Sequence, residues 1–250
     1  MPGSDSNVRF PLCSRTIRRA IGEEAYLLAC GAPYESVLGL ADAVRVTGDI
    51  HNFWGHVLAN AASVAARWWT HRKLWNVDPD FLIVRCPETT PDKQLNRPGR
   101  VKPFEYADYW LAGREMRMNE VKAYALLVYL SAGDIMIGDD LTQLNAEGFA
   151  LLRKVLEQPL SRAAKPTDLF GAHGALPCFW LAEEDEFAFL GVFNWEEDRV
   201  EYQVDLRSLG VEDCKRVELF WDGKTVEAQG GEVLVRLAPR SCEGLKVYRK

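Results

Sequence analysis

The sequence contains no run of about 18 consecutive apolar residues, the length a membrane-spanning helix needs. Its first residues, MPGSDSNVRFPLCSR, hold no apolar signal-peptide core. No membrane contact is expected, and a cytoplasmic setting is favoured. No cysteine pair has CxxC spacing: Cys13, Cys30, Cys86, Cys178, Cys214 and Cys242 stand far apart. That excludes a zinc ribbon or a dense disulfide frame and suits free, mostly buried thiols. There is no Gly-rich phosphate loop and no GxSxG elbow. An excess of positive charge is also absent. Thirty Lys and Arg face 36 Asp and Glu, a net charge of −6, so nucleic acid is not the expected partner.

What is present is globular composition, 48% hydrophobic and 26% charged over 250 residues. Apolar periodicity predicts helices over 9–22, 52–72, 114–131 and 146–158. In the first, Phe10, Leu12, Ile17 and Ile21 form the inward face, and Arg9, Arg15, Arg18 and Arg19 face water. Short continuous apolar runs predict strands at 25–31, 41–46, 75–84 and 134–140, as in a parallel sheet buried on both faces. Residues 85–113, rich in proline, read as a long irregular loop of a kind that is often functional. After a linker around 159–174 the period changes to two. Runs such as RVEYQVDL and EVLVRLA, with turn signals at Asp222-Gly223 and Gly230-Gly231, predict an antiparallel sheet or sandwich.

A complete (β/α)8 barrel takes about 250 residues, or roughly 30 for each βα unit. The expected fold is therefore α/β plus all-β. Residues 1–160 form a partial (β/α)8 barrel of four units, and residues 175–250 an antiparallel β domain. Four strands with open edges make a poor independent fold. The first segment reads as the second half of a barrel.

Barrel active sites lie at the C-terminal ends of the strands. There the first strand ends at Cys30-Gly31. The second carries Arg45 and then Asp49, the third Asp78 and Asp80, and the fourth Asp139-Asp140. With Tyr34, Trp54 and Trp75 as aromatic neighbours, this wall suits a sugar. Its hydroxyls bond to carboxylates and its C–H face packs on rings. Each residue also has a plainer reading. Asp49 fits a helix N-cap, Asp78 and Asp80 fit a turn around Pro79, and Asp139 and Asp140 fit caps or neighbour-orienting groups. Trp54, Trp75 and Trp110 fit a core. His51, His56 and His71 lack the i, i+4 spacing of a helical metal site, so no metal is expected.

The segments CGAPYESVLGLADAVRVTGDIHNFWGHV, WNVDPDFLI and NEVKAYALLVYLSAGDIMIGDDLTQLNAEGFALLRKVL carry four motifs in order. Over residues 15–158 they resemble the second half of the α-galactosidases (melibiases) of glycoside hydrolase families 27 and 36. The resemblance implies barrel strands 5–8 followed by a β-sandwich. It implies hydrolysis of terminal α-galactosides with retention and with no cofactor. It matches Asp49 to the general acid/base and Arg45 to the arginine that binds sugar hydroxyls. Asp80 matches a sugar-contacting acid, Cys30 and Gly31 the strand-5 wall, and Trp54 the nearby tryptophan. Relatives acting on α-N-acetylgalactosaminides or transferring galactose leave the exact sugar open.

A retaining glycosidase needs two carboxyl groups, one as nucleophile and one as acid and then base. The acid must stay protonated, which burial or a nearby carboxylate favours and an adjacent arginine opposes. The family's nucleophile sits in a Lys-x-Asp or Trp-Asp-x-Asn motif on strand 4. No such motif stands upstream of the first helix, and Asp5 lacks its context. The chain alone is therefore expected to have little or no hydrolase activity. An N-terminal half, or a second copy of the chain, is expected to cover the open edges. The alternatives are a non-catalytic carbohydrate-binding or assembly protein, a truncated reading frame, and a metal-dependent barrel enzyme.

Overall fold

The computed structural model describes residues 6–91, 114–171, 176–208, 210–211 and 214–249. Asp5, Trp110 and positions 92–113 of the expected loop lie outside the described residues. Strands β1 (Leu28–Ala29), β2 (Ala43–Arg45) and β3 (Asn76–Asp78) form a parallel sheet in that order. Each is shorter than the apolar run that predicted it. The expected fourth strand is reduced to a single parallel bridge, Leu82 to Ile137. The chain turns at Asp80, whose φ of 73° interrupts β3.

Pairing resumes beyond the turn. Leu82 N donates to Met136 O at 2.7 Å, and Gly138 N donates to Leu82 O at 2.9 Å. Before the turn, Asp134 N donates to Val77 O at 2.9 Å. Residues 134–138 thus lie as a fourth parallel segment beside 77–82. Gly133 permits the approach, since a Cβ there would meet Val77 O at 1.9 Å.

Helix α1 (Ser6–Ile21) precedes the sheet, α2 (Tyr34–Val37) joins β1 to β2, and α3 (Trp54–Arg67) joins β2 to β3. The predicted helix over 52–72 ends early. Arg67, at φ −124° and ψ 0°, breaks it into a 3-10 turn at Trp68–Thr70. Helices α4 (Met118–Ser131) and α5 (Ala146–Leu156) follow. Asn145 caps α5, accepting from the backbone N–H of Glu147 and Gly148, so neither Asp139 nor Asp140 is its cap.

Helix α1 corrects the expected orientation. Arg18 is buried, and Phe10, Leu12, Ile17 and Ile21 are exposed, at 43–62%. The Arg18 guanidinium donates to Leu40 O, Gly22 O and Ala25 O and pairs with Asp42 at 2.5 Å. Four acceptors in one place make this arginine the helix's anchor. Among the described residues no element covers the apolar stripe.

The second unit has two sheets. Strands β4 (Lys165–Pro166), β5 (Phe179–Glu183), β6 (Phe187–Asn194), β8 (Cys214–Leu219), β9 (Thr225–Val226) and β11 (Ser241–Arg249) form a six-stranded sheet. Its order is β4-β5-β6-β11-β8-β9, and the pairs are antiparallel. Part of the expected linker, at β4, is therefore sheet. β7 (Val200–Asp205) and β10 (Glu232–Leu237) pair as a separate antiparallel ribbon. Ala188, Leu190, Val192, Val217, Leu245 and Val247 of the large sheet pack against Val204, Val233, Val235 and Leu237 of the ribbon.

The other face of the large sheet packs on α4. Tyr129 meets Phe189 and Phe220 at 5.1 and 4.8 Å between ring centroids. Helix α4 thus lies between the parallel sheet and the β domain. Residues 123–131 are all buried, which no one-sided helix pattern anticipates. Glu120, buried at the start of α4, joins Arg114 at 2.7 Å and Arg240 of the β domain at 2.8 Å.

Candidate functional site

The site is assembled by one strand end and two turns. Arg45 closes β2 opposite Asp78 of β3. Its guanidinium reaches Asp49 at 2.6 Å and Asp80 at 3.3 Å. Asp49 is exposed, with 68% of its side chain open, whereas Asp80 is at 2%. Asp80 is fixed on both sides. Its carboxylate accepts from Ile50 N at 2.5 Å, and its own N–H donates to Asp78 Oδ1 at 2.8 Å. Tyr124 of α4 braces the turn, donating to Pro79 O and Phe81 O. Asp80 is thus a turn residue whose buried carboxylate lies beside Arg45.

Asp49 is not the cap of α3. Phe53 occupies that position and makes no side-chain cap bond. Instead the Asp49 backbone oxygen lies 3.0 Å from His56 Nδ1. His51 stands edge-on to His56 at 5.1 Å. Burial foremost, then His56, holds the His51 imidazole below its ordinary value, and Asp49, Arg85 and Asp80 also act on it. Burial works against the charge on Arg45, but Asp80, Cys30 and Asp49 outweigh it and raise its pKa.

Asp78 is fully buried, and its Oδ2 has no hydrogen-bond partner. Burial raises its pKa from 3.8 to about 6, and the adjacent Asp80 adds to the rise.

Cys30 and Gly31 lie exposed where β1 ends, with Gly31 at φ 68°. None of the six cysteines is in a disulfide. Cys86, Cys178 and Cys242 are buried, and Cys13 and Cys30 are exposed on α1 and at the end of β1. Asp139 takes a structural part. It pairs with Arg85 at 2.8 Å and accepts from Val84 N, locking 82–85 to the 134–138 segment. Asp140 closes a local turn by accepting from Thr142, which lowers its pKa.

The aromatic residues divide. Trp75 precedes β3, so the parallel register puts it at the opposite end of the sheet from Asp80. There it packs on Tyr34 at 5.6 Å. Trp54 is buried against Trp195 at 5.9 Å, with the Arg240 guanidinium over its ring at 5.9 Å. It lines a cavity of about 370 Å³ with Leu58, Trp195, Glu196, Glu197 and Arg240. The β domain supplies most of that wall, so nothing near Trp54 in the sequence could have announced it. The sequence reading missed Tyr124 and Arg85 beside the cluster, and weighed His51 only as a metal ligand. Among the described residues, no group of three or more His, Cys, Asp or Glu is placed to hold a metal ion.

This arrangement is an arginine bridging an exposed and a buried carboxylate at the C-terminal ends of parallel strands, joined to a β-sandwich. Solved structures sharing the fold are glycoside hydrolases, among them α-galactosidases and enzymes of family GH27. A Bacteroides fragilis protein assigned as an α-galactosidase/melibiase matches with a TM-score of 0.77 and 16% identity, over 98% of this chain and 52% of that one. The GH27 β-L-arabinopyranosidase of Geobacillus stearothermophilus, solved with arabinose, matches with a TM-score of 0.72 and 17% identity, over 96% of this chain and 55% of that one. The α-galactosidase of Saccharomyces cerevisiae, solved with raffinose, gives 0.65 and 10%, over 97% and 68%. No protein-family model matches the chain. The chain spans about half the length of the first two structures. Its fold is that of the C-terminal half of a GH27-like protein.

Proposed function

We propose that the chain is the acid/base-bearing half of a retaining glycoside hydrolase acting on terminal α-galactosides. The observation that carries this is the Arg45–Asp49–Asp80 cluster at the end of a parallel sheet that, among the described residues, stops at β1 on one side and at the 134–138 segment on the other. In this reading residues 1–160 are strands 5–8 of a (β/α)8 barrel, and 175–250 are the sandwich that follows it. A further (βα)4 unit, from another segment of a longer polypeptide or from a separate chain, closes the barrel and brings the nucleophile. Asp49, exposed to the cleft, serves as acid and then base. Arg45 orients it and the sugar hydroxyls, and buried Asp80 holds Arg45 in place. Cys30 and Gly31 line the adjoining wall. Trp54, buried against the β domain, shapes the cleft's outer side rather than stacking on the reacting sugar.

The exposed stripe Phe10, Leu12, Ile17 and Ile21 supports an incomplete barrel, because burying it would remove a large apolar area from water. The DNA upstream of Met1 provides the first test. The reading expects an in-frame Lys-x-Asp or Trp-Asp-x-Asn strand within about 150 codons, roughly half a barrel and a margin. Absence of that strand rules out a single parent polypeptide. For the chemistry, Asp49→Ala is placed in the completed enzyme and assayed on an aryl α-galactoside with an activated leaving group. Azide should restore turnover, because azide can take over deglycosylation without a base. Unchanged turnover without azide would remove Asp49 from the role.

A further inference from the structure

A second cavity, also of about 370 Å³, lies at the N-terminal end of β3. It is at the opposite end of the sheet from Asp80. Trp68, Trp69, His71, Arg72, Lys73 and Arg162 line it, together with Ser161. The lining holds three permanent cations and no carboxylate, in a chain whose net charge is −6. Charge of that sign is therefore concentrated here against the chain's own balance. The Arg72 guanidinium donates to Ser161 O at 2.8 Å, which fixes it across the cavity. The Arg162 guanidinium meets a carboxylate, that of Asp185, at 3.9 Å, and Glu184 behind the wall is held by Ser161 N, Ser161 Oγ and Arg162 N.

The polar wall is preset by His71. Val77 N donates to His71 Nδ1 at 3.3 Å, so the ring proton sits on Nε2. That Nε2–H is buried and has no partner. Burial, with Arg72 beside it, keeps this imidazole neutral at ordinary pH. Trp69 is 48% exposed, and its indole N–H is already spent on Ala66 O at 3.1 Å. What Trp69 offers a ligand is therefore the face of its ring. Cations beside an available indole face, in a cavity at the small end of ligand-site volumes, match a small ring that bears an anion.

We propose that this cavity binds an anionic monosaccharide unit: a sugar ring bearing carboxylate, sulfate or phosphate. The indole takes the C–H face of the ring, and Arg72, Lys73 and Arg162 take the anion. The site is independent of the Arg45–Asp49–Asp80 cluster and stands or falls separately from it.

Calorimetric titration of the full chain at low salt tests this, with D-galacturonate, galactose 6-sulfate, galactose 6-phosphate, galactose and inorganic sulfate as probes. At least one anionic sugar should bind more tightly than galactose, and the order among the three identifies the anion. Lys73→Ala combined with Arg162→Ala removes two exposed cations and spares the left-handed backbone of Arg72. It should weaken anionic sugars about tenfold, the worth of one charge-assisted hydrogen bond. Trp69→Ala should weaken the sugars but leave inorganic sulfate unchanged. Trp69→Gln replaces it if the alanine variant loses its native circular dichroism.

Inorganic sulfate binding as tightly as galactose 6-sulfate would overturn the sugar assignment. Tighter binding of a short single-stranded oligonucleotide, titrated alongside as a sixth probe, would overturn it too. No binding by any probe, or binding that both variants leave unchanged, would overturn the site itself.

Discussion

Asp78 should make the folded chain less stable as pH rises from about 4 to about 6. Its carboxyl is buried, Oδ1 accepts from Asp80 N, and Oδ2 has no partner. Its pKa is about 6 in the fold against an ordinary 3.8. Between those values the folded chain holds a proton that the unfolded chain has lost, so stability falls with rising pH. Below about 4 both states are protonated and there is no penalty. Above about 6 both are ionised and the penalty is complete. The shift of about two units corresponds to about 3 kcal/mol at 1.36 kcal/mol per unit. About 2 kcal/mol of this falls between pH 4 and pH 7, because the unfolded carboxyl is already partly ionised at pH 4.

Asp78→Asn has nearly the same shape, keeps the acceptor for Asp80 N and cannot ionise. Urea unfolding of both proteins at several pH values from 4 to 7 measures the difference. The variant's stability relative to wild type should rise by about 2 kcal/mol across that range, because all other titrations cancel. A difference that stays constant with pH would refute the reasoning. A difference that moves the other way would show Asp78 to be stabilised as a carboxylate.

Other substitutions probe other joints. Glu120→Ala removes the buried carboxylate shared by Arg114 and Arg240, but both arginines stay partly exposed and Arg240 keeps Glu197, so it should cost about 1.5–3 kcal/mol, read as a lowered urea midpoint. Gly133→Ala drives a methyl group into Val77 O and should cost at least about 3 kcal/mol, seen as a large fall in Tm. Asp80→Ala strands the Ile50 N–H and puts alanine at φ 73°. The two effects together should cost about 2–4 kcal/mol in chemical denaturation. Leu12→Asp combined with Ile17→Asp, both on the exposed face of α1, should leave the chain's own Tm within about 2 °C. The same pair should abolish binding of a completing half-barrel in analytical ultracentrifugation.

The sequence was most legible where neighbours in sequence are neighbours in space. Arg45 and Asp49 are four residues apart and meet as an ion pair. The period-two runs of the β domain fall on observed strands because alternation reports a sheet face directly. The parallel strands were found but overestimated in length, since apolar runs do not reveal the turn that Asp80 imposes. Helix α1 was given its stripe but the wrong partner. Periodicity defines a face without saying what covers it, and only the fold shows Arg18 collecting its four acceptors. Trp75 was placed in the pocket by proximity to Asp78 in sequence, yet a strand separates its two ends. Tyr124 and the Trp54–Trp195 contact come from elements distant in sequence, so no local pattern encodes them.

The most direct test of the central claim is turnover of an unactivated α-galactoside, melibiose. It is measured for the chain alone and for the chain joined to the (βα)4 segment encoded upstream. No turnover is expected from the chain alone, turnover is expected from the completed barrel, and Asp49→Ala should lower it about 10²–10⁴-fold, the usual contribution of a general acid. Full turnover by the 250-residue chain alone, or turnover in the completed barrel that Asp49→Ala leaves unchanged, would contradict the claim.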